Sequence, residues 1–231
     1  MKRLLRKALR FLFGYDPDYV DMYLDEEESF FATLYLAAIE RHLASLENGS
    51  PLNLLDAGCQ AGRLAIPLAK KGHRVVGVDT SGFALRRAKS HSREAGVEVQ
   101  WSRGNILNIL PRFPKQFFYG ILCIEVLYLR QNFREMLKAF YEALKQKGFL
   151  IASHRPQAYF LKLAREKNDE GAAKFIRTHS EGKLWGSYFN WQMPSELEAI
   201  YRSAGFHVRE VRPIERSAQE PHYLLLVADK N

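Results

Sequence analysis

Leu54-Leu55-Asp56-Ala57-Gly58-Cys59-Gln60-Ala61-Gly62, followed by Val75-Val76-Gly77-Val78-Asp79, decides how this chain folds. The first stretch reads as a hydrophobic strand (52–57) running into a turn of small residues, with a helix beginning near Ala61. The second is a hydrophobic strand ending in a carboxylate 21 residues after Gly58. Gly58 and Gly62 let backbone approach a ligand where a Cβ would clash, and a helix N-terminus behind them would favour an anionic group. A carboxylate at the tip of the second strand is placed to accept hydrogen bonds from ribose hydroxyls, as in nucleotide-binding α/β sheets generally. Turn, helix and terminal acid at this spacing point to an adenosine-type cofactor.

Outward from these residues, strands and helices alternate, which implies a parallel sheet covered on both faces. Strands are expected near 52–57, 74–79, 97–102, 119–123 and 148–153, and helices near 61–71, 81–95 and 132–145. Between Pro156 and Met193 the alternation breaks into two helices (157–167 and 169–179) and an aromatic loop. A helix at 195–204, stopped by Gly205, and strands at 206–212 and 223–229 close the pattern. With no linker in sight, residues 51–231 read as one domain whose segment 156–193 is a substrate-side cap. Residues 1–50 add N-terminal helices. One, at 27–46, has Phe30, Leu34, Ala37, Ala38 and Leu46 on its apolar side. The other, at 3–13, sets leucines and Phe11 against Arg3, Arg6, Lys7 and Arg10.

The 231 residues suffice for one full core, and 47% hydrophobic content fits a globular chain. No apolar run approaches the length of a membrane-spanning helix, and arginines interrupt the N-terminal apolar residues where a secretory signal would be continuous. Cys59 and Cys123 both lie in or beside strands and read as reduced, structural and cytoplasmic. The net charge of +8 is uneven. Residues 1–13 carry five cations and no acid, and residues 14–28 carry seven acids and no base. The helix over 1–13 therefore has two candidate roles, a lid over the cofactor or a transient peripheral contact with an anionic membrane. The remaining basic surface suits an anionic small molecule, a membrane or RNA, and charge alone does not choose among them.

At the quoted residues the chain resembles the class I S-adenosylmethionine-dependent methyltransferases. These show an acidic residue, then Gly-x-Gly-x-Gly after strand one, and an acidic residue ending strand two. Asp56, Gly58, Gly62 and Asp79 match, whereas Gln60 stands at the middle glycine. The resemblance continues through Gly104-Asn105, the strand Ile121-Leu122-Cys123-Ile124-Glu125-Val126-Leu127, Lys147-Gly148-Phe149-Leu150-Ile151, and Pro194-Ser195-Glu196-Leu197 to Ala204-Gly205-Phe206. It implies a Rossmann-like, doubly wound seven-stranded α/β sheet with the last strand antiparallel. It also implies S-adenosyl-L-methionine as cofactor and S-adenosyl-L-homocysteine as product.

The same resemblance distributes roles. Asp79, with Thr80 beside it, would meet the ribose. Asp56 would orient the turn or meet the amino group, and Gln60 would donate to the methionyl carboxylate or obstruct the pocket. Asn105 would accept from the adenine amino group or simply hold a turn, and Ile106 would contact the ring. Glu125 and His154, at the tips of strands four and five, are the candidate catalytic pair. Glu125 could act as a base or as a partner for the sulfonium, and either residue could instead be structural. Tyr128 could gate the site or pack in the core. The cap's Tyr159, Phe160, Phe175, Trp185, Tyr188, Phe189 and Trp191, interleaved with bases including Arg155, could stack an aromatic or anionic substrate or form a mini-core. The strand tips and cap look like the group that includes quinone-biosynthesis methyltransferases, so a small-molecule acceptor methylated at oxygen is the first expectation. Rivals are an RNA or protein methyltransferase and a non-catalytic cofactor-binding scaffold. No zinc-ligand spacing occurs.

Overall fold

A computed structural model describes residues 26–44, 51–214 and 223–231. The expected basic helix at 3–13, with its lid and membrane alternatives, lies outside the described residues. The chain divides into two compact units, Met1–Ile109 and Leu110–Asn231.

In the first unit, α1 (Glu26–Ala44) precedes β1 (Asn53–Ala57), α2 (Ala65–Lys70), β2 (Arg74–Asp79), α3 (Gly82–Glu94), β3 (Gln100–Arg103) and the single turn α4 (Ile106–Ile109). β1 and β2 pair in parallel, as do β2 and β3. Leu54, Leu55, Val75, Val76 and Val78 are all buried, the near-continuous apolar run that a sheet covered on both faces demands. Ser81 caps α3 by accepting from the Ala84 N–H. Among the side chains of α1 that the structure describes, Tyr35, Ala38 and Ile39 are buried, whereas Ala37, expected on the apolar side, is exposed.

The second unit holds β4 (Phe118–Cys123), α5 (Phe133–Ala143), β5 (Leu144–His154), α6 (Gln157–Glu166), α7 (Glu170–Thr178), β6 (Glu181–Leu184), β7 (Ser187–Asn190), α8 (Pro194–Ser203), β8 (His207–Ile214) and β9 (Tyr223–Asp229). β4 and β5 are parallel, whereas β9 runs antiparallel to both β5 and β8. Phe149 to His154 and all seven residues of β9 are buried. Gly205 ends α8 at φ +101°, a left-handed conformation suited to glycine. The seven main strands follow the order β3-β2-β1-β4-β5-β9-β8, so the doubly wound, Rossmann-like architecture and its antiparallel last strand are as expected.

The cap departs from expectation in one respect. Its aromatic loop is a two-stranded hairpin, β6 with β7, turning at Trp185 (φ +50°) and Gly186 (φ +86°). Both turn residues have positive φ, as a tight hairpin turn matching strand twist requires. A tryptophan at the first of them hid the signal that an asparagine would have given. Phe160 and Trp191 are buried with ring centroids 5.4 Å apart, and Phe189 lies 5.2 Å from Phe160. These rings form the cap's own core. Asn190 then fastens the hairpin by donating from Nδ2 to the Leu127 carbonyl at 2.8 Å.

Candidate active site

The turn after β1 is built by backbone. The N–H groups of Gly58 and Cys59 both donate to the Val78 carbonyl, at 2.8 and 3.1 Å, and Gly62 N–H donates to the Cys59 carbonyl at 2.8 Å. Gly58 and Gly62 both hold φ +87°, and Gln60 between them holds φ +46°. Gln60 thus keeps the left-handed backbone that a glycine would adopt freely, at a cost of roughly 1–3 kcal/mol. The half-buried Asp79 holds it there. One carboxylate oxygen accepts from the Gln60 N–H at 3.0 Å and the other from the Ser81 N–H at 2.8 Å. The acid at the tip of β2 therefore organises both the turn and the start of α3.

Two acceptor atoms in this turn are buried without a hydrogen-bond partner, Asp56 Oδ2 and Gln60 Oε1. Buried acceptors normally find donors, so the loop is chemically matched to a group that brings N–H or O–H. Burial pushes the Asp56 carboxyl up to about 7. The Arg63 charge and the Ala65 N–H pull it down, and the Asp79 charge adds to the rise. Burial, with Asp56 and Asp79 beside it, also drives the Cys59 thiol pKa well up, leaving an unreactive thiol.

Two expectations change here. The helix starts at Ala65 rather than Ala61, because Gly62 leaves helical φ, and a helix of six residues offers little dipole to an anion. The space beside Gly62 is also filled by the protein itself. A Cβ there would lie 2.8 Å from the Trp101 ring and 2.9 Å from Ile66. Trp101 on β3 pairs in register with Gly77 on β2, where a Cβ would meet the ring at 2.4 Å. Sequence reading passed over Trp101, although a large aromatic registered against a strand glycine is a signal. Gly77→Ala should therefore destabilise the protein by about 1–3 kcal/mol, read as a lower urea midpoint with an unchanged slope. An unchanged midpoint would mean that the ring swings aside freely.

Thr80 is exposed, with its carbonyl accepting from Arg103 Nε at 3.4 Å. Asn105 is exposed, and its Oδ1 accepts from the Leu107 N–H at 3.0 Å, which makes it the cap of α4. The Ile106 side chain is buried.

In the second unit, Glu125 is 6% exposed and holds φ +61°, a strained conformation for a side-chain-bearing residue. Its N–H donates to Ser153 Oγ at 2.7 Å, which ties the tip of β4 to β5. His154 departs from the role expected of it. It is 2% exposed, its Nε2 lies 2.9 Å from the Tyr201 hydroxyl, and its ring sits against Phe133 and Tyr201. Burial lowers its pKa to about 3. A ring this deep and this weakly basic does not suit proton abstraction near neutral pH, because its cationic form is excluded by desolvation.

Arg155, the next residue, is half-buried among tyrosines. Its guanidinium carbon lies 3.6 Å from the Tyr223 ring centroid, 4.0 Å from that of Tyr159 and 5.9 Å from that of Tyr128. It also donates to the Tyr223 hydroxyl.

Comparison with known proteins agrees with this geometry. Residues 54–148 match the family model described as a methyltransferase domain. The ubiquinone biosynthesis O-methyltransferase of Pseudomonas putida is 29% identical over 175 residues, spanning 74% of this chain and 72% of that protein. Among solved structures, magnesium protoporphyrin IX methyltransferase from Synechocystis, with bound S-adenosylhomocysteine, is similar over the whole of both chains with a TM-score of 0.71 at 18% identity. The 1,6-didemethyltoxoflavin-N1-methyltransferase of Burkholderia thailandensis, with 1,6-didemethyltoxoflavin and S-adenosylhomocysteine bound, reaches a TM-score of 0.64 at 20% identity, over 93% of this chain and 86% of that one. Sheet order, glycine turn and matched domain together define a Rossmann-like methyltransferase. Over these spans the chain is similar to class I S-adenosylmethionine-dependent methyltransferases.

Proposed function

We propose that this methyltransferase binds S-adenosylmethionine at the turn after β1 and methylates a hydroxyl oxygen of a small aromatic acceptor. The observation that carries the cofactor assignment is the pair of buried, partnerless acceptors, Asp56 Oδ2 and Gln60 Oε1, beside the carboxylate of Asp79. Asp79, at the tip of β2, would accept from the ribose hydroxyls. Asp56 and Gln60 would accept from the amino end. Asn105 keeps one lone pair of Oδ1 for the adenine amino group, while Thr80 and Ile106 flank these contacts through backbone. The preference for oxygen rests on the O-methyltransferase from Pseudomonas putida.

When bound, the cofactor supplies a methyl group on a positively charged sulfur. The protein has then to position the acceptor and remove its hydroxyl proton as the oxygen–carbon bond forms. Glu125 is the proposed base. Its carboxylate would take that proton and pass it to water after product leaves. Its strained backbone, pinned by Ser153, fixes the carboxylate's direction.

Calorimetry with S-adenosylhomocysteine tests the cofactor site. Asp79→Ala should bind roughly 10- to 100-fold more weakly, since hydrogen bonds to a charged acceptor contribute on the order of 1.5–3 kcal/mol. Asp79→Asn, which keeps one acceptor oxygen for the turn, should fall between. Unchanged affinity in folded Asp79→Ala would remove the ribose assignment.

A further inference from the structure

Two side-chain amides at the base of the cap have a setting that the cofactor reading leaves unused. Asn190 and Gln192 are 1% and 2% exposed, as deeply buried as the aromatic rings of the cap. Asn190 donates from Nδ2 to the carbonyls of Leu127 and Arg130, at 2.8 and 3.4 Å. Gln192 donates from Nε2 to the Ser180 carbonyl at 3.3 Å. A carbonyl oxygen can only accept, so neither amide can be turned over, and each presents its own oxygen away from these contacts. Among the described residues, neither Asn190 Oδ1 nor Gln192 Oε1 has a hydrogen-bond partner. Between them, Trp191 donates from Nε1 to the carbonyls of Ile176 and His179, and its N–H extends the hairpin by donating to the Ser180 carbonyl at 2.7 Å. Extended backbone sends successive side chains to opposite faces, so the two amides share the face that the Trp191 ring leaves. That face meets the turn after β4, where Leu127 stands two residues past Glu125. Fastening the hairpin needs only the amide N–H groups. Two buried carbonyl oxygens beside them suit a ligand that brings N–H or O–H.

We propose that Asn190 and Gln192 form the acceptor-recognition subsite and select, on the aromatic acceptor, an uncharged hydrogen-bond donor besides the hydroxyl that is methylated. The donor is a further hydroxyl or an N–H. Amide oxygens carry partial negative charge, so the same pair disfavours a carboxylate at that place. An acceptor lacking the donor leaves buried oxygens unpaired, which is the condition under which a site rejects an analogue most strongly. The subsite rests on the methyltransferase reading above and narrows its substrate class.

The test uses the intact chain loaded with S-adenosylhomocysteine and three calorimetric probes, resorcinol, 3-methoxyphenol and 3-hydroxybenzoate. All share a ring and one hydroxyl, and they differ in whether the second substituent donates, only accepts or is an anion. Wild type should bind resorcinol at least about tenfold more tightly than either of the others. An apolar pocket would prefer the methoxy compound instead, so the order of the two is diagnostic. Gln192→Met keeps the length of the side chain and removes its oxygen, and it should reduce the preference while S-adenosylhomocysteine still binds. Adding Asn190→Leu should abolish the preference. Equal binding of resorcinol and 3-methoxyphenol by wild type overturns the subsite, as does tighter binding of 3-hydroxybenzoate or binding of none at millimolar concentration. A preference undiminished in Gln192→Met, or surviving in the double variant, overturns it too. The wild-type comparison decides the matter even where a variant does not fold. Failure of wild type to bind S-adenosylhomocysteine at all would instead overturn the cofactor reading beneath it.

Discussion

Glu125→Gln should slow methyl transfer by on the order of 10²–10⁴-fold while leaving S-adenosylhomocysteine affinity nearly intact. The change is isosteric, so it keeps the shape of the β4 tip and the N–H bond to Ser153 while removing the only feature a base needs. The measurement is S-adenosylhomocysteine release with a catechol acceptor under saturating cofactor, beside calorimetry of the same variant. Ser153→Ala gives the complementary case. It leaves the Glu125 carboxylate but removes the hydroxyl that receives its backbone N–H at 2.7 Å, so the strained φ of +61° loses its restraint. That variant should lose part of the rate, because its carboxylate is present but less well aimed. Full turnover in Glu125→Gln would show that positioning alone carries the reaction.

The position of Glu125 just past β4 was legible because its place at the sheet edge follows from counting strands. Its strained backbone was not legible, since a glutamate gives no sign of positive φ. His154 shows the opposite limit. Its position directly after a strand suggested an open edge, but β5 continues to His154 itself and pairs there with Leu224 of β9, while Tyr201 of α8 closes over the ring. That covering comes from residues about 50 to 70 positions further along the chain, and no local pattern announces it.

The glycine turn divides in the same way. Spacing gave Asp56, Gly58, Gly62 and Asp79, and the strand pattern gave the sheet, because burial on both faces leaves a readable apolar run. Spacing did not show that Trp101, two strands away, occupies the room beside Gly62 and Gly77, nor that Asp79 holds Gln60 in a left-handed conformation. The neighbouring carboxylate restrains Gln60 in a conformation that a glycine would adopt freely.

Asp56 should make stability fall as pH rises, by up to about 4 kcal/mol between roughly pH 4 and pH 7, and Asp56→Asn should remove that slope. The carboxyl titrates near 3.8 when unfolded and about 7 when folded, so its folded pKa is raised. Below the unfolded value it is protonated in both states and carries no penalty. As pH rises from there, the unfolded chain ionises while the native state keeps its proton, and stability drops by about 1.36 kcal/mol per pH unit. Above the folded pKa both states are ionised and the loss is complete. The charged groups acting on this carboxyl are Arg63 and Asp79, of opposite effect, and the Arg63 charge only partly offsets the burial. Asp56→Asn keeps the size of the side chain without a charge to desolvate, so it should gain on wild type steadily from pH 4 to pH 7. Urea midpoints at pH 4.5, 6 and 8 for both proteins measure this, and parallel trends would show that Asp56 is not the titrating group. The same protonation bears on the cofactor. If the Asp56 carboxylate accepts from the ammonium of S-adenosylhomocysteine, a cation replaces the proton there, and wild-type affinity should strengthen across the same interval. Asp56→Asn has no proton to release. Its affinity should be weaker above pH 7 and should lose the Asp56-linked rise below it, which separates a ligand-facing carboxylate from one that only shapes the turn.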